Sequence, residues 1–576
     1  MLKGFNLDKL GKVDTTVIFA CGKGERMKPL TFDTPKPLLK VKSEVLIERQ
    51  IQQLKEKNIT DIYVVVGYLD EKFKYLTDKY NVKLIYNEDF LIKDSLYTLH
   101  KASQYLRDKN FYICNADIYL TNNFFDNFEI ETNFKVFYCD NCSGEALRAC
   151  DCRGEALRNN NCRGEALQNN NCSGEALQNN YCSGEALQNN NCRGEALRAR
   201  LGFAYFDKVD GEKLLQYCDE LAKAQGNEKM CWEDIIEKYQ NEFSHITINQ
   251  INDMYGFDNI DDIKRFDNEI DTGCKSIEYI KKVFGVKEKD IVIDEITTAG
   301  LTNYSYVFNI SNNNKKYLMR VPGNGTNNLI NRQLEAQVLK EMGKYDIAEK
   351  IIYIDENTGY KISEFIEDGR IINTESEDDL KFAMAKLKEL HNINIDIKDS
   401  KNLFDWVEMY ETAIKKDELH FPFDDHDIIK QKIDKLCDDI RHMCRKQKFC
   451  HGDANPSNML ITKNTIKFID FEYVNIFDQA FEIAMFALNA GYKYDKIFTL
   501  VDYYISANPQ NDLFDGMNKD DAYKLVIKYF AISQYYCYLW GIVFQHIKSV
   551  DYNDYIISCH NKMIDALNYL EGDKNE

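Results

Sequence analysis

The sequence has no long apolar stretch and is poor in basic residues relative to acidic ones. Nowhere do about 18 apolar residues run together, the length that a bilayer span requires. Residues 1–14, a short N-terminal extension, lack the apolar core of a signal peptide. Lys and Arg total 73 against 93 Asp and Glu, which gives a net charge of −20. Because such a surface repels phosphate backbones and anionic lipid, neither a membrane nor nucleic acid is a predicted partner.

Cysteine is abundant but lacks the paired spacing of a zinc site. Eight of the 18 cysteines fall between Cys139 and Cys192. In a long chain without a leader, reduced thiols are favoured over a disulfide framework. The sequence therefore predicts a cytoplasmic location.

A ten-residue repeat occupies residues 142–199. Its unit is C-[SR]-G-E-A-L-[RQ] followed by three polar residues. Ten helical steps of about 100° would rotate each Cys by roughly 80°, so no stable helix face forms, and Gly and Asn weaken a strand. The pattern favours a low-complexity insertion, and a small stacked repeat or a metal or redox element are the alternatives.

The chain of 576 residues is too long for one ordinary domain. Apart from the repeat, residues 15–270 alternate β-branched runs with amphipathic segments, which predicts an α/β domain with a mostly parallel sheet. A polar linker is expected at 271–276. Residues 277–576 begin with strand-like runs and continue with helical segments, which predicts an α+β domain with two lobes. Ligands of the first domain belong at the carboxyl ends of its strands.

The first candidate site is a glycine-rich loop after the strand-like run TTVIFAC. Gly22 and Gly24 would let backbone N–H groups approach phosphate oxygens without obstruction by side chains. Arg26 can clamp a triphosphate with paired donors, and Lys36 adds a point charge. Three of the seven prolines in the chain lie in the same segment and would stiffen it.

The string G-x-G-x-R-x-x-P-L-T-x-x-x-P-K-P-L resembles the sugar-1-phosphate and phosphocholine nucleotidyltransferase family, over roughly residues 17–266. The resemblance implies a Rossmann-like sheet and a loop that binds CTP. It implies that Arg26 and Lys36 stabilise charge on the phosphates during transfer. Asp117, at the end of the strand-like run FYICNADIYL, matches the magnesium-binding Asp of the family.

A second metal carboxylate is expected from the same resemblance near Trp232. Phosphocholine-specific members have Trp-Asp there, whereas this chain has Glu233 and then Asp234. Both carboxylates are candidate Mg²⁺ ligands, and Trp232 is a candidate substrate contact. The repeat takes the place of family strands and of an aromatic residue that helps to enclose choline, so loss of cytidylyl transfer is an alternative.

The second candidate site is the segment HGDANPSN, which a hydrophobic strand and IDFE follow. Phosphoryl transfer from ATP requires one carboxylate that meets the acceptor hydroxyl, and oxygen ligands that hold Mg²⁺ on the phosphates. Asp453, Asn458 and Asp470 have the residue types and spacing for these tasks. Because this reaction depends on positioning and charge neutralisation, the three side chains suffice for the core of a kinase site.

This motif resembles the choline/ethanolamine kinase and aminoglycoside phosphotransferase superfamily, over roughly residues 277–570. The resemblance implies a bilobal protein-kinase-like fold. It makes Asp453 the catalytic base and Asn458 and Asp470 the Mg²⁺ ligands, while His451 braces the loop. The residues implied to bind ATP are Gly300, Thr302 and Asn303 in a covering turn, Arg320 on a strand and its helix partner Glu335.

The acceptor is indicated by the helical segment QYYCYLWGIVFQ. A quaternary ammonium group needs aromatic faces and nearby carboxylates. Choline kinases resemble this segment with two tryptophans three residues apart; Trp540 matches the second, and Cys537 occupies the first position. Trp540 is therefore a candidate choline contact, with a purely structural aromatic stripe as the alternative. Glu482 lies near the acidic substrate-binding position of the family.

Together these resemblances imply a bifunctional enzyme that makes CDP-choline. The second domain would phosphorylate choline with ATP and Mg²⁺, and the first would join phosphocholine to CTP. Ethanolamine is the nearest alternative acceptor. The alternative from another functional class is a kinase whose first domain is disabled by the repeat and only binds ligands. The sequence does not indicate an oligomeric state.

Overall fold

The computed structural model describes residues 13–125, 134–139, 201–243, 246–251, 253–297, 303–311, 313–323, 330–398, 400–507, 516–548 and 551–572. The decapeptide repeat, most of the N-terminal extension, Gly300 and Thr302 lie outside these residues. The chain divides into two compact units, Met1–Ile291 and Val292–Glu576.

The first unit is built on a mostly parallel sheet. Its strands are β1 (Thr15–Phe19), β2 (Lys40–Val41), β3 (Glu44–Val45), β4 (Ile62–Val66), β5 (Lys83–Tyr86), β6 (Phe111–Asn115), β7 (Ile118–Leu120), β8 (Phe134–Cys139), β9 (Leu201–Phe206), β10 (Ile246–Ile251) and β11 (Met254–Gly256). Seven of them form one sheet in the order β10-β8-β9-β6-β1-β4-β5. β1 pairs in parallel with β4 and β6, while β9 pairs antiparallel with β6 and β8. This arrangement confirms the predicted α/β class.

Helices cover both faces of this sheet. They are α1 (Leu46–Glu56), α2 (Tyr75–Tyr80), α3 (Ser95–Leu106), α4 (Lys208–Lys223), α5 (Glu233–Lys238), α6 (Ile260–Phe266) and α7 (Lys275–Phe284). Successive strand residues point to opposite faces of a sheet. Ile18 accordingly packs in a core that includes α1, and its neighbour Val17 packs in a second core that includes α3 and α4.

The first unit extends beyond the predicted linker at 271–276. Cys274 is fully buried there, and Ser276 N donates to Asp33 Oδ2 at 3.1 Å. Glu288 accepts from both the N and the Oγ1 of Thr272, at 2.9 and 2.7 Å. These contacts hold α7 and the following turn against the nucleotidyltransferase-like unit, so this segment is packed structure and the compact units divide after Ile291.

The second unit begins with an antiparallel sheet in the order β12-β13-β14-β16-β15. Its strands are β12 (Ile291–Thr297), β13 (Asn303–Ile310), β14 (Lys316–Pro322), β15 (Ile351–Ile354), β16 (Lys361–Glu364), β17 (Arg370–Ile371), β18 (Lys448–Cys450), β19 (Met459–Ile461), β20 (Ile466–Phe468) and β21 (Asn475–Phe477). The last five form two small sheets, β17-β19-β20 and β18-β21. A five-stranded sheet followed by short hairpins among helices confirms the predicted α+β order.

The helices of the second unit follow its sheet and build most of its core. They are α8 (Arg332–Met342), α9 (Glu377–His391), α10 (Leu403–Lys416), α11 (His426–His442), α12 (Gln479–Asn489), α13 (Tyr494–Ser506), α14 (Lys519–Lys548) and α15 (Asn553–Glu571). Side chains cap several of them: Asn331 Oδ1 accepts from Leu334 N at 3.1 Å and so begins α8. Of the helices in the described ranges, none combines the length and the apolar character needed to cross a membrane.

Candidate active sites in the two units

The glycine-rich loop of the first unit requires glycine at its second position. Gly24 has a φ of 63°, in the left-handed region that favours glycine. A Cβ there would lie 3.0 Å from Thr31 Cγ2 and 3.1 Å from Lys36 Cβ, whereas a Cβ on Gly22 would meet no atom within 4 Å. Thr31 Oγ1 donates to Gly24 O at 2.9 Å and holds the turn. The loop therefore packs closely against Lys36.

Lys36 and Asp117 form an ion pair next to this loop. The distance from Lys36 Nζ to Asp117 Oδ2 is 2.5 Å, and the lysine side chain is only 13% exposed. Asp117 follows β6, a central strand of the sheet, at its carboxyl end. The structure thus brings together the predicted phosphate-binding cation and the predicted metal ligand, as a phosphate site with a bound cation requires.

Arg26 pairs with a carboxylate that the sequence analysis did not single out. Its Nη1 lies 3.3 Å from Asp258 Oδ1, and its side chain is 68% exposed and accessible to a ligand. Asp258 comes two residues after β11, in which Gly256 pairs with Ile118 of β7. Because Ile118 directly follows Asp117, the ladder places the chain segments of Asp117 and Asp258 side by side. The feature of the sequence that could have identified Asp258 is that this carboxylate comes just after a short strand.

The segment predicted to hold the second metal carboxylate has structural contacts. Asp234 Oδ2 accepts from Cys231 N at 2.8 Å and so stabilises the start of α5. Trp232 is 1% exposed, and its ring packs edge-on against Phe206 at 5.9 Å between centroids. The prediction that Trp232 contacts substrate is therefore corrected: its ring belongs to the core. Glu233 is the first residue of α5.

The HGDANPSN segment of the second unit forms a tight turn around the predicted base. Asn458 Nδ2 donates to Asp453 Oδ2 at 2.9 Å and to Asp453 O at 3.2 Å. Burial raises the pKa of Asp453 to about 6, and the nearby Asp470 carboxylate adds to this effect. A carboxylate with a raised pKa and a defined hydrogen bond has the properties of a general base.

Gly452 is required by a close approach of the backbone. It has a φ of 83°, and a Cβ at this position would lie 1.9 Å from Tyr473 O. The segment after Asp470 therefore packs directly on the segment that carries Asp453. His451 supports the same contact, since its Nε2 lies 2.9 Å from Ile469 O. The predicted bracing role of His451 agrees with this position.

Glu482 supports the Asp453 loop from the buried side. It is fully buried, and its carboxylate accepts from His451 N at 2.9 Å and from Gly452 N at 2.6 Å. His391 Nε2 lies 3.0 Å from Glu482 Oε2. Burial raises the pKa of Glu482, but the hydrogen bonds and the charges of His391 and His451 together lower it below its ordinary value. The prediction that Glu482 contacts substrate is corrected: it holds the loop that carries the base.

Arg320 and Glu335 form the ion pair predicted between strand and helix. Arg320 Nη2 donates to Glu335 Oε2 at 2.9 Å, and Nη1 contacts Glu335 Oε1. Burial raises the pKa of Glu335, but the charge and hydrogen bond of Arg320, together with the charges of Lys361 and Arg332, lower it to about 2. Arg320 Nη1 also lies 3.4 Å from Asp470 Oδ1, which links the pair to a predicted metal ligand. Asn303, whose Nδ2 donates to Glu472 Oε2 at 2.9 Å, belongs to the same cluster.

A cavity of about 480 Å³ connects this cluster with the predicted acceptor residues. Trp540, on α14, lies 5.7 Å from Tyr552 and from Tyr555 between ring centroids, edge-on in both cases. The sequence analysis missed both tyrosines because they lie on a different segment from Trp540. The residues that line the cavity include Asn303, Arg320, Asp453, Asn458, Asp470, Tyr536, Cys537, Trp540, Tyr552 and Tyr555.

Comparison with known proteins finds a family model that matches part of each unit. Residues 16–128 match the model of the MobA-like NTP transferase domain, and residues 294–515 match that of choline/ethanolamine kinase. A choline-phosphate cytidylyltransferase of Streptococcus pneumoniae is 40% identical over 129 residues, which are 22% of this chain and 56% of that protein. The chain thus spans little more than half the length of this relative.

The kinase-like unit has relatives of its own. Protein LicA of Haemophilus influenzae is 25% identical over 192 residues, which are 32% of this chain and 69% of that protein. The crystal structure of choline kinase LicA from Streptococcus pneumoniae is 20% identical and covers 51% of this chain and 98% of that one, with a TM-score of 0.43. The two family models thus place a MobA-like NTP transferase domain in residues 16–128 and a choline/ethanolamine kinase domain in residues 294–515.

Proposed function

We propose that the protein makes CDP-choline in two steps, one in each unit. In the first step ATP phosphorylates the hydroxyl of choline and leaves as ADP. In the second, a phosphate oxygen of phosphocholine attacks the α-phosphorus of CTP, and pyrophosphate leaves. The observation that carries the proposal is that one cavity is lined by Asp453, Asn458 and Asp470 and also by Trp540.

The kinase step is supported by the arrangement around Asp453. Its carboxylate, with a pKa raised by burial, is suited to accept the proton of the choline hydroxyl. Asn458 and Asp470 would hold Mg²⁺, because amide and carboxylate oxygens are the donors that this cation takes. When bound, Mg²⁺ supplies positive charge at the ATP phosphates. Trp540, Tyr552 and Tyr555 line the same cavity, and their rings would supply the aromatic surface that a quaternary ammonium group needs.

The cytidylyl step is supported by the two cation–carboxylate pairs of the first unit. Asp117 and Asp258 would hold the metal ion, each already beside a basic group. Lys36 and the exposed Arg26 would bind the triphosphate of CTP and stabilise the charge that develops on it. Asp258 is therefore an alternative to Glu233 and Asp234 as the second carboxylate ligand of the metal ion. The similarity to choline-phosphate cytidylyltransferase makes phosphocholine the proposed acceptor.

The proposal is tested by supplying choline, ATP, CTP and Mg²⁺ together and identifying the products by mass. Asp453→Asn should stop the formation of phosphocholine but still convert added phosphocholine to CDP-choline. Asp117→Asn should allow phosphocholine to accumulate without CDP-choline. A mixture of the two variants should restore the complete sequence. Formation of ADP and phosphocholine by the unaltered chain, without CDP-choline, would instead support the alternative of a first domain that only binds ligands.

Ethanolamine is tested in the same reaction. A primary ammonium group favours carboxylates, whereas choline favours aromatic walls. In competition between equal concentrations of the two amines, we expect phosphocholine to be the main product. A preference for phosphoethanolamine would assign the alternative acceptor and leave the two-step scheme intact.

A further inference from the structure

Arg332 is a buried arginine to which the sequence analysis gave no role. It is the first residue of α8 and is 5% exposed. Its Nη1 lies 3.2 Å from Glu335 Oε2 and 3.3 Å from Glu472 Oε2, and its Nη2 donates to Asn303 Oδ1 at 3.1 Å. One guanidinium group therefore contacts three different segments of the second unit.

Each of these segments leads to a predicted ligand-binding residue. Asn303 begins β13, immediately after the turn expected to cover ATP. Glu472 is two residues beyond Asp470, and Glu335 is the partner of Arg320. The Asn303 side chain also donates to Glu472, so Arg332, Asn303 and Glu472 form a closed set of hydrogen bonds. A displacement of any one of the three segments would break at least one contact of Arg332.

The charges explain why an arginine is needed at this point. Glu335 already has the charge of Arg320 to balance it. Glu472 lies two residues beyond Asp470 in the chain and is buried, so its carboxylate would repel that of Asp470 without a nearby cation. Arg332 supplies that cation to Glu472 while its second nitrogen holds Asn303. Lysine has one donor centre and cannot reproduce this forked contact.

We propose that Arg332 is a positioning residue for MgATP, which aligns the strand of Asn303 with the segment of Asp470. This inference rests on the proposed kinase function of the same cavity. Arg332 acts through Asn303 and Glu472 and does not touch the acceptor. Its loss should therefore weaken the binding of MgATP and leave the binding of choline unchanged.

The test compares Arg332→Met and Arg332→Lys with the unaltered full-length chain. We expect the KM for MgATP to rise roughly tenfold in Arg332→Met, because the loss of one hydrogen bond to a charged group has about this effect on affinity. The KM for choline should stay unchanged. Arg332→Lys keeps the charge and should restore part of the affinity. It also serves as the informative variant if Arg332→Met does not fold.

Arg445→Met is the matched control, because Arg445 is also buried and ion-paired, with Asp478. Loss of this pair should lower the melting temperature and leave the KM for MgATP unchanged. An Arg332→Met protein that behaves in the same way has lost only a structural contact, and the inference is then overturned. A double-mutant cycle with Glu472→Gln adds a second criterion: coupled effects support action through Glu472, and additive effects overturn it.

Calorimetric titration with MgATP separates this inference from the proposed function. Unaltered protein that binds MgATP but does not phosphorylate choline would refute the acceptor assignment alone. The affinities of the Arg332 variants then still decide whether this residue positions the nucleotide: a weakened affinity supports it, and an unchanged one overturns it. Unaltered protein that does not bind MgATP would overturn the inference itself.

Discussion

The amide nitrogen of Asn458 lies 2.9 Å from Asp453 Oδ2, so the proposed base and a proposed metal ligand are joined by a direct hydrogen bond. This bond fixes the Asp453 carboxylate with the Asn458 amide turned towards it. The oxygen of the same amide belongs to the donor set that Mg²⁺ takes. The proposed proton acceptor and the proposed cation ligand are therefore tied to each other directly.

Replacement of Asp453 by Asn should reduce choline phosphorylation by roughly 10²–10⁴-fold, because the acceptor hydroxyl loses its general base. Release of ADP measures this loss. Cytidylyl transfer from added phosphocholine should be unchanged. Asp424→Asn is the control, since Asp424 is exposed on the same unit. Residual phosphorylation close to that of the control would remove Asp453 from the proposed role.

Asp258→Asn should lower the cytidylyl transfer rate and raise the Mg²⁺ concentration needed for half of the maximal rate, by roughly tenfold or more. The reason is its position beside Arg26 and next to the segment of Asp117. Glu233→Gln is the comparison variant and should leave the Mg²⁺ requirement unchanged. The reverse result would identify a carboxylate of α5 as the second metal ligand, as the family resemblance implies.

Trp540→Leu should raise the KM for choline by roughly 2–30-fold, which corresponds to a cation–π attraction of about 0.5–2 kcal/mol. Trp540→Phe keeps an aromatic face and should lose less. The KM for ethanolamine should change little in either variant, because a primary ammonium depends less on aromatic faces. Equal losses for the two amines would show that the ring only shapes the cavity.

Gly24→Ala should destabilise the first unit by about 1–2 kcal/mol from the left-handed backbone alone, with further loss from the crowded Cβ. Gly22→Ala is the control for folding, since its Cβ has open space. Thermal unfolding measures the difference. We expect Gly22→Ala to keep its melting temperature and to affect only the KM for CTP. A lower melting temperature in Gly22→Ala would contradict this assignment.

The parts of the sites that could be predicted from sequence are those whose residues lie within short, recognisable motifs. Asp453 and Asn458 lie in one short segment, so their residue types and spacing alone made both of them candidates, and the structure adds the hydrogen bond between them. Lys36 and Asp117 were candidates because the glycine-rich string carries a family resemblance in which both positions have a role, and the structure pairs them. The order of strands and helices in both units was also evident from hydrophobic periodicity.

The parts that could not be predicted depend on tertiary packing. The role of Glu482 follows from its burial behind the Asp453 loop, which a position on a helix does not reveal. Trp232 was a candidate substrate contact, but its aromatic ring packs in the core of the first unit. Asp258 became a candidate only when the pairing of β11 with β7 brought it near Asp117.

The anchoring of the Asp453 loop by Glu482 has a consequence for how acceptor preference can evolve. The catalytic turn is attached from within, through its own main-chain amides, to a helix of the hydrophobic interior. Trp540 and Tyr555, which line the same cavity, belong to α14 and α15 and not to α12. If the proposed function holds, exchange of Trp540 or Tyr555 would change which amino alcohol is accepted and leave the anchoring of the Asp453 turn by Glu482 in place.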